Sequence, residues 1–176
     1  MKSKRQFNLR LLRFLYGAIL IGMFALALNT SAAAKDNPKE QIENLEKGLI
    51  DAGNNVDVAK IMTFYDPSDE LLVFDIVPPR EYRGAAAWRK HIEDLAPDFN
   101  GKTELIDLKV NADGNLAFAS SIQHFTGKAK DGTPIDLTTR VTDCLQKKQG
   151  KWVIVHQHIS APIDLATGKA DLQSKP

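Results

Sequence analysis

Four segments between residues 105 and 159 alternate apolar and polar side chains, and this alternation constrains the fold more than any other feature of the chain. The segments cover residues 105–110, 116–126, 135–146 and 151–159, with short polar stretches between them. Alternation with a period of two predicts half-buried strands, and short turns join antiparallel neighbours. Such a sheet buries one apolar face, so another part of the chain has to cover it.

The chain before residue 100 has helical periodicity instead. Residues 38–52 follow the capping residue Asn37 and carry Ile42, Leu45 and Leu49 at helical spacing. Two further helices are predicted at residues 56–64 and 85–95, and a strand at residues 71–77. Helices followed by a meander predict an α+β domain, a conical fold in which N-terminal helices pack on a strongly curved, mainly antiparallel β-sheet. We expect a ligand-sized hollow between the two layers.

The first 34 residues have the pattern of a signal peptide. Five basic residues precede an apolar run of 15 residues, 14–28. After this run, Ala32 and Ala34 are small residues suited to a signal peptidase. A membrane-spanning helix usually needs about 20 apolar residues, so an uncleaved anchor is the alternative. We expect cleavage after Ala34, a periplasmic or secreted bacterial protein, and a single domain at residues 35–176 with its core at about 38–162.

Removal of the leader leaves 18 basic and 22 acidic residues, a net charge of about −4. This charge provides no electrostatic basis for nucleic-acid binding, and we expect membrane contact only through an uncleaved leader. Cys144 is the only cysteine in the sequence, so an intrachain disulfide is excluded and a packed thiol is expected. The sequence contains no phosphate loop, nucleophile elbow or nucleotide fingerprint, and we predict no cofactor.

Asp75 is the first candidate for chemistry, because an unpaired carboxylate within an apolar strand is costly. Arg140 is its expected partner, since a guanidinium tolerates burial and binds a carboxylate through two parallel hydrogen bonds. The two residues could form a base and an anion clamp in the hollow, or a structural ion pair between strands. Asp143 follows Arg140 by three residues, so we expect it on the opposite face, exposed or at an interface.

Two histidines of the last predicted strand, His156 and His158, share one face with Trp152 and Ile154 if the strand is regular. They could donate protons in the hollow, which makes His156 the third catalytic candidate, or they could face outward at a dimer contact. Two histidines hold a metal only if a third ligand converges, and no metal-binding motif accompanies them. We therefore predict no metal site.

Several aromatic and polar side chains near the helix–sheet junctions suit a small hydrophobic or amphipathic ligand. Packing in the core or in a lid is the alternative role for them. The candidate ligand-binding residues are Tyr65, Tyr82, Trp88, Phe99, His124, Gln157 and His158.

The order of elements and several local motifs resemble the SnoaL-like, nuclear-transport-factor-two-like superfamily. The matching segments are residues 73–79 with Tyr82 and Gly84, then residues 107–108, 116–119, 140–143 and 150–162. Relatives in this superfamily include ketosteroid isomerases and the association domain of calcium/calmodulin-dependent kinase. The steroid isomerases use a carboxylate base opposite a tyrosine and a protonated carboxylic acid. Asp75 with Tyr82 or Tyr65 supplies two of these residue types, at a spacing that differs from that arrangement.

These observations predict an exported small-molecule-binding domain with no assignable reaction, homodimeric through the outer face of its sheet. A ketosteroid-isomerase-like proton-transfer enzyme and a homo-oligomerisation module are the alternatives. A buried carboxylate with a raised pKa would favour the enzyme. An ion pair between Asp75 and Arg140 would favour the binding protein, and a hollow filled by side chains would favour the oligomerisation module.

Overall fold

The computed structural model of the chain describes residues 37–174, apart from the side chain of Phe99. The predicted signal peptide lies outside the described residues. The described helices and strands are α1 (Pro38–Asn54), α2 (Val58–Met62), β1 (Leu72–Phe74), β2 (Tyr82–Arg83), α3 (Ala85–Leu95), a 3-10 turn (Ala96–Asp98), β3 (Phe99–Asp113), β4 (Leu116–Ala129), β5 (Pro134–Lys148) and β6 (Lys151–Ser160). No helix within residues 37–174 has the length and apolar character needed to cross a bilayer.

Helix α1 begins and ends where its sequence provides partners for the backbone. The Asn37 side chain accepts a hydrogen bond from the Glu40 N–H, and Pro38 follows the cap, at a position where a missing N–H costs nothing. At the other end, the Asn54 side chain bonds both the N–H and the C=O of Thr103 at 2.7 and 3.0 Å. These two bonds fix the C-terminal end of the helix against strand β3.

The six strands form one sheet in the order β2-β1-β6-β5-β4-β3. Strand β1 runs parallel to β6, and every other neighbouring pair is antiparallel. The pairing register shifts at Ile106 in β3 and at Val155 in β6, because each strand carries one extra residue there. Bulges increase the local twist of a sheet, and this sheet is curled without closing into a barrel. The predicted fold class is confirmed.

The inner face of the sheet and the helices enclose the core. Ile42 of α1, Leu145 of β5 and Ile154 of β6 are completely or almost completely buried within it, together with Leu71 and Val73 at the edge of the sheet. Helix α1 lies against β3, and α3 follows β2 at the opposite edge. The core therefore combines side chains of the first described helix with side chains of the last two strands.

Two local predictions differ from the structure. Strand β3 begins at Phe99 and not at residue 105, because Gly101 and Gly127 allow the backbones of β3 and β4 to approach closely beyond the expected strand end. For the polar segment after residue 162 the sequence predicts a frayed tail, yet Ile163 forms a bridge with Ala170 within it. The Leu172 carbonyl accepts a hydrogen bond from the Thr138 N–H, and this bond attaches the segment to β5.

Candidate functional site

Two acidic side chains, Glu46 of α1 and Asp143 of β5, meet in the core and are hereafter called the carboxyl pair. Each is 1% exposed, and each affects the pKa of the other. Asp143 lies between Ala119 of β4 and Gln157 of β6 on the inner face of the sheet. The prediction that Asp143 is exposed or at an interface is therefore wrong.

The surroundings of the carboxyl pair favour its protonated forms. Burial, followed by the charge and the hydrogen bond of Asp143, raises the pKa of Glu46 from 4.5 to about 9. Burial also raises the pKa of Asp143 from 3.8 to about 7, although hydrogen bonds from Gln157 and Glu46 oppose this shift. Between these two values the pair holds one proton, which is the proton that a hydrogen bond between two carboxyl groups requires.

No lysine or arginine among residues 37–174 forms an ion pair with either member of the carboxyl pair. Glu46 Oε1 and Asp143 Oδ1 are buried without a hydrogen-bond partner, as is the indole Nε1 of Trp88. Buried polar atoms without partners cost roughly 1–3 kcal/mol each, and most native proteins satisfy them. The core therefore contains a concentrated set of donors and acceptors with unused bonding capacity.

Tyr65 and Gln157 connect the carboxyl pair to the aromatic side chains of α3. The Tyr65 hydroxyl donates to Gln157 Oε1 at 2.9 Å, and Gln157 lies beside Asp143 on the neighbouring strand. Burial, and then the charge of Asp143, raise the pKa of Tyr65 well above its usual value, so the hydroxyl keeps its proton. Trp88 lies edge-on to Tyr65, with ring centroids 6.0 Å apart, and its N–H helps to lower the pKa of Tyr65 without reaching standard hydrogen-bond geometry.

An ion pair next to Tyr65 fixes the segment that contains this tyrosine. Lys148 Nζ lies 2.7 Å from Asp66 Oδ2, and the Ser68 hydroxyl donates to the same oxygen at 2.8 Å. The backbone on both sides of Tyr65 bonds to Ile154, through the Phe64 carbonyl and the Asp66 N–H. The position of the Tyr65 ring is therefore set by strand β6.

The side chain of Asp75 is largely buried, but its partner is not Arg140. Its carboxyl Oδ2 lies 2.7 Å from Nε2 of His91, a residue of α3, and its side chain is 7% exposed. Arg140 is exposed, because its neighbour Val141 takes the inward position of the alternating strand. The expected pairing of Asp75 with Arg140 is therefore wrong, and the catalytic roles of the two residues remain predictions.

The bulge at Val155 decides where the histidines of β6 point. Trp152 and Ile154 face inward before the bulge, and Gln157 faces inward after it, so His156 and His158 lie on the outer face. There His156 Nδ1 lies 2.9 Å from the carbonyl oxygen of Leu72. The prediction that both histidines share a face with Trp152 is wrong, because it assumed a strand without an extra residue.

The other candidate ligand-binding residues fall into two groups. Tyr65, Trp88 and Gln157 lie beside the carboxyl pair, and Tyr82 contacts Trp88 with ring centroids 5.5 Å apart. His124 lies on the outer face instead, with Nε2 2.9 Å from Asp136. The side chain of Phe99 lies outside the described residues. In the described part of the chain, no three His, Cys, Asp or Glu residues are arranged to hold a metal.

Sequence reasoning missed both members of the carboxyl pair, although the signals were present. Glu46 occupies the helical stripe of Ile42, Leu45 and Leu49, where an acid interrupts an otherwise apolar face. Asp143 alternates with Val141 and Leu145 along β5 and so belongs to the inward set. In each element an acidic residue occupies a position that the apolar pattern turns inward. Such a costly placement in both elements predicts the pair.

The combination of covering helices with a curled, unclosed six-stranded sheet defines a protein of the nuclear-transport-factor-two-like class. An NTF2-like protein of unknown function from Pseudomonas putida is similar to it, with 28% identity, a TM-score of 0.70, and coverage of 79% of this chain and 96% of that one. An NTF2-like superfamily protein from Salmonella enterica has 22% identity and a TM-score of 0.65 over 75% and 96% of the two chains. A ketosteroid isomerase-like protein from Erwinia carotovora has 17% identity and a TM-score of 0.62 over 71% and 96%.

The sequence profile of the SnoaL-like domain matches residues 42–164, which is more than half of the chain. The chain belongs to the SnoaL-like domain family. No protein with a curated description matches the sequence.

Proposed function

We propose that the domain binds a small hydrophobic or amphipathic molecule beside the carboxyl pair and transfers a proton to or from it. The observation that carries this proposal is a buried pair of carboxyl groups with raised pKa values, to which no lysine or arginine of residues 37–174 is paired. Two buried carboxyl groups are expensive to keep, and apolar side chains of similar size would often give a more stable core. Strongly perturbed pKa values are characteristic of functional sites.

The two carboxyl groups suit opposite roles. Asp143, whose pKa is about 7, is ionised in about half of the molecules near neutral pH and is available as a base. Glu46, whose pKa is about 9, keeps its proton there and serves as an acid or hydrogen-bond donor. Tyr65 also stays protonated and donates through Gln157. Pairs of titratable groups with separated pKa values are how other enzymes divide acid and base work.

Binding without a reaction is the second candidate. The unpartnered Glu46 Oε1, Asp143 Oδ1 and Trp88 Nε1 favour it, since a polar group on a ligand could satisfy them without any proton moving. The name of the Erwinia relative, ketosteroid isomerase-like, supports the proton-transfer reading instead. The two candidates use the same side chains, and a measured rate separates them.

The aromatic carbon acid 5-nitrobenzisoxazole is a suitable probe. A base removes its C3–H proton, the ring N–O bond breaks, and a coloured phenolate nitrile forms. We expect a rate that rises with pH through about 7 and falls at least about 10-fold in Asp143→Asn. Glu104→Gln, which changes an exposed acid of the same sheet, is the control and should leave the rate unchanged.

Equal rates in Asp143→Asn and the unmodified protein would contradict proton transfer at this pair. Quenching of tryptophan fluorescence by the probe without any product would favour binding alone. Absence of both signals would contradict the whole proposal for this class of ligand.

We also propose that the protein acts outside the cytoplasm as a homodimer. Export is supported by the basic and apolar N-terminal sequence, and recovery of a chain beginning at Lys35 from the periplasm would test it. Dimerisation is supported by Leu116 and Phe118, which expose 62% and 47% of their surface on the outer face of the sheet.

Light scattering should report a dimer that Phe118→Asp dissociates. Val56→Asp is the matched control, because Val56 is 54% exposed but lies in the turn between α1 and α2 and not on a strand. A monomer at every concentration would contradict the proposed interface, and it would also remove support for an oligomerisation module.

A further inference from the structure

Three side chains at the edge of the sheet form a second reactive arrangement, separate from the carboxyl pair. Asp75 follows β1, Tyr82 begins β2, and His91 lies on α3. Asp75 Oδ2 is 2.7 Å from His91 Nε2, and His91 Nδ1 is 2.8 Å from the Tyr82 hydroxyl. These contacts connect a carboxylate, an imidazole and a hydroxyl in one line, hereafter called the edge triad.

The neighbouring groups hold each member of the edge triad in place. The second oxygen of Asp75 accepts the backbone N–H of Ile76 at 2.7 Å. The imidazole of His91 packs against the rings of both Tyr82 and Trp88, with centroid distances of 4.2 and 5.2 Å. With Asp75 accepting from Nε2–H, Nδ1 carries no proton and can accept one from the Tyr82 hydroxyl 2.8 Å away, which is the tautomer that a general base requires.

The Tyr82 hydroxyl is at the protein surface and has a second acceptor. Its single proton can be donated to His91 Nδ1, 2.8 Å away, or to the exposed carbonyl oxygen of Pro78, 3.1 Å away, but not to both at once. The side chains of Asp75 and His91 are in contrast only 7% and 11% exposed. The hydroxyl is therefore the one member of the edge triad that a ligand from solution can reach directly.

We propose that the edge triad is a nucleophilic site for small acyl esters, with Tyr82 as nucleophile, His91 as base and Asp75 as a positioning residue. A nucleophile within hydrogen-bond reach of a base, which a third group orients, is the arrangement that activates hydroxyl groups. The Tyr82 oxygen attacks the acyl carbon while its proton passes to His91 Nδ1. The ester C–O bond then breaks, and the leaving alcohol takes that proton. Water hydrolyses the acyl-tyrosine in the second half, again with His91 as base.

Burial and the charge of Asp75 raise the pKa of Tyr82. The free phenolate is therefore scarce, and attack depends on proton removal by His91 during the reaction. This dependence gives the site a signature that an ordinary surface tyrosine lacks.

The edge triad does not rest on the function proposed for the carboxyl pair. Trp88 lies between the two, in contact with Tyr82 on one side and Tyr65 on the other at 5.5 and 6.0 Å between ring centroids. The edge triad and the carboxyl pair share no residue, so a substitution in one leaves the residues of the other unchanged.

The test is acetylation of the purified full chain by 4-nitrophenyl acetate, followed by mass mapping of the modified peptides. We expect Tyr82 to be acetylated at least about 10-fold faster than N-acetyltyrosinamide under the same conditions, and at least about 10-fold more slowly in His91→Gln. Asp75→Asn should slow the reaction, and Asp75→Glu should partly restore it. His124→Gln is the matched control, because His124 also pairs with a carboxylate, Asp136, at 2.9 Å.

Acetylation of Tyr82 no faster than that of N-acetyltyrosinamide would overturn the proposal, and this comparison needs no variant. An unchanged rate in folded His91→Gln would also overturn it. Asp143→Asn should leave acetylation of Tyr82 unchanged, so loss of activity at the carboxyl pair and loss of reactivity at the edge triad are distinguishable outcomes.

Discussion

Replacing Asp143 with asparagine should stabilise the protein at both pH 8 and pH 5, and by much more at pH 8. The folded protein raises the pKa of Asp143 from 3.8 to about 7, because the ionised carboxylate is buried. The folded state therefore binds this proton more tightly than the unfolded state. The contribution of Asp143 to the free energy of unfolding must then fall as pH rises from about 4 to about 7, and this contribution levels off above that range.

The size of the effect follows from the same values. One pKa unit corresponds to about 1.4 kcal/mol, so the change from 3.8 to about 7 costs the fold about 4 kcal/mol once Asp143 is ionised. Asparagine has nearly the same shape and no charge, so it avoids this cost at pH 8. For a chain of this length, about 4 kcal/mol corresponds to a rise in Tm on the order of 10 °C.

Urea unfolding at pH 5 and pH 8, followed by tryptophan fluorescence, measures this difference. Trp88 and Trp152 are both buried and report on loss of the core. Glu104→Gln is the control for the loss of one acidic residue and should have the same stability as the unmodified protein at both pH values. The reasoning would be refuted if Asp143→Asn were no more stable at pH 8, or if the unmodified protein unfolded with the same free energy at both.

Two further substitutions test the packing that positions the site. Gly101→Ala should lower the free energy of unfolding by about 3 kcal/mol or more, because its new Cβ would lie 2.3 Å from the Thr126 carbonyl oxygen. The control is Gly53→Ala, whose new Cβ would have no atom within 4 Å, so this variant should be neutral. Equal melting temperatures for the two variants would contradict the prediction. Lys148→Ala should cost about 2 kcal/mol near pH 7 by leaving the buried Asp66 unpaired. Although burial opposes them, the bonds from Lys148 and Ser68 lower the pKa of Asp66. The loss of stability in Lys148→Ala should therefore shrink at low pH, where Asp66 becomes protonated. A difference in thermal melting that does not depend on pH would argue against this role of Lys148.

Local patterns in the sequence were enough to predict most of the elements. The stripe of Trp88, His91, Ile92 and Leu95 predicts a helix at residues 85–95, and α3 has these bounds. The alternating segments predict the meander of β3 to β6 because side-chain direction in a strand depends only on position along it. The parallel pairing of β1 with β6 could not be predicted this way, because it joins residues more than 80 positions apart.

The candidate site was harder to predict because it depends on departures from regular structure. One extra residue at Val155 reverses the direction of every later side chain in β6, and nothing in the local sequence marks that position. The partner of Asp75 was misassigned for a different reason: an arginine is the common choice for a buried carboxylate, but His91 lies closer in the folded chain. The meeting of Glu46 and Asp143 likewise requires the docking of α1 on the sheet.

The central claim is that the core holds two acidic side chains that keep their protons at pH values well above the usual pKa of such groups. A pH titration of the side-chain carboxyl carbons by carbon-13 NMR tests it directly, with Glu46→Gln and Asp143→Asn to assign the two signals. We predict one signal that titrates at about 7 and another at about 9. If both carboxyl groups titrated below about 5, as exposed acids do, the carboxyl pair would be an ordinary ionised pair and the proposed function would lose its basis.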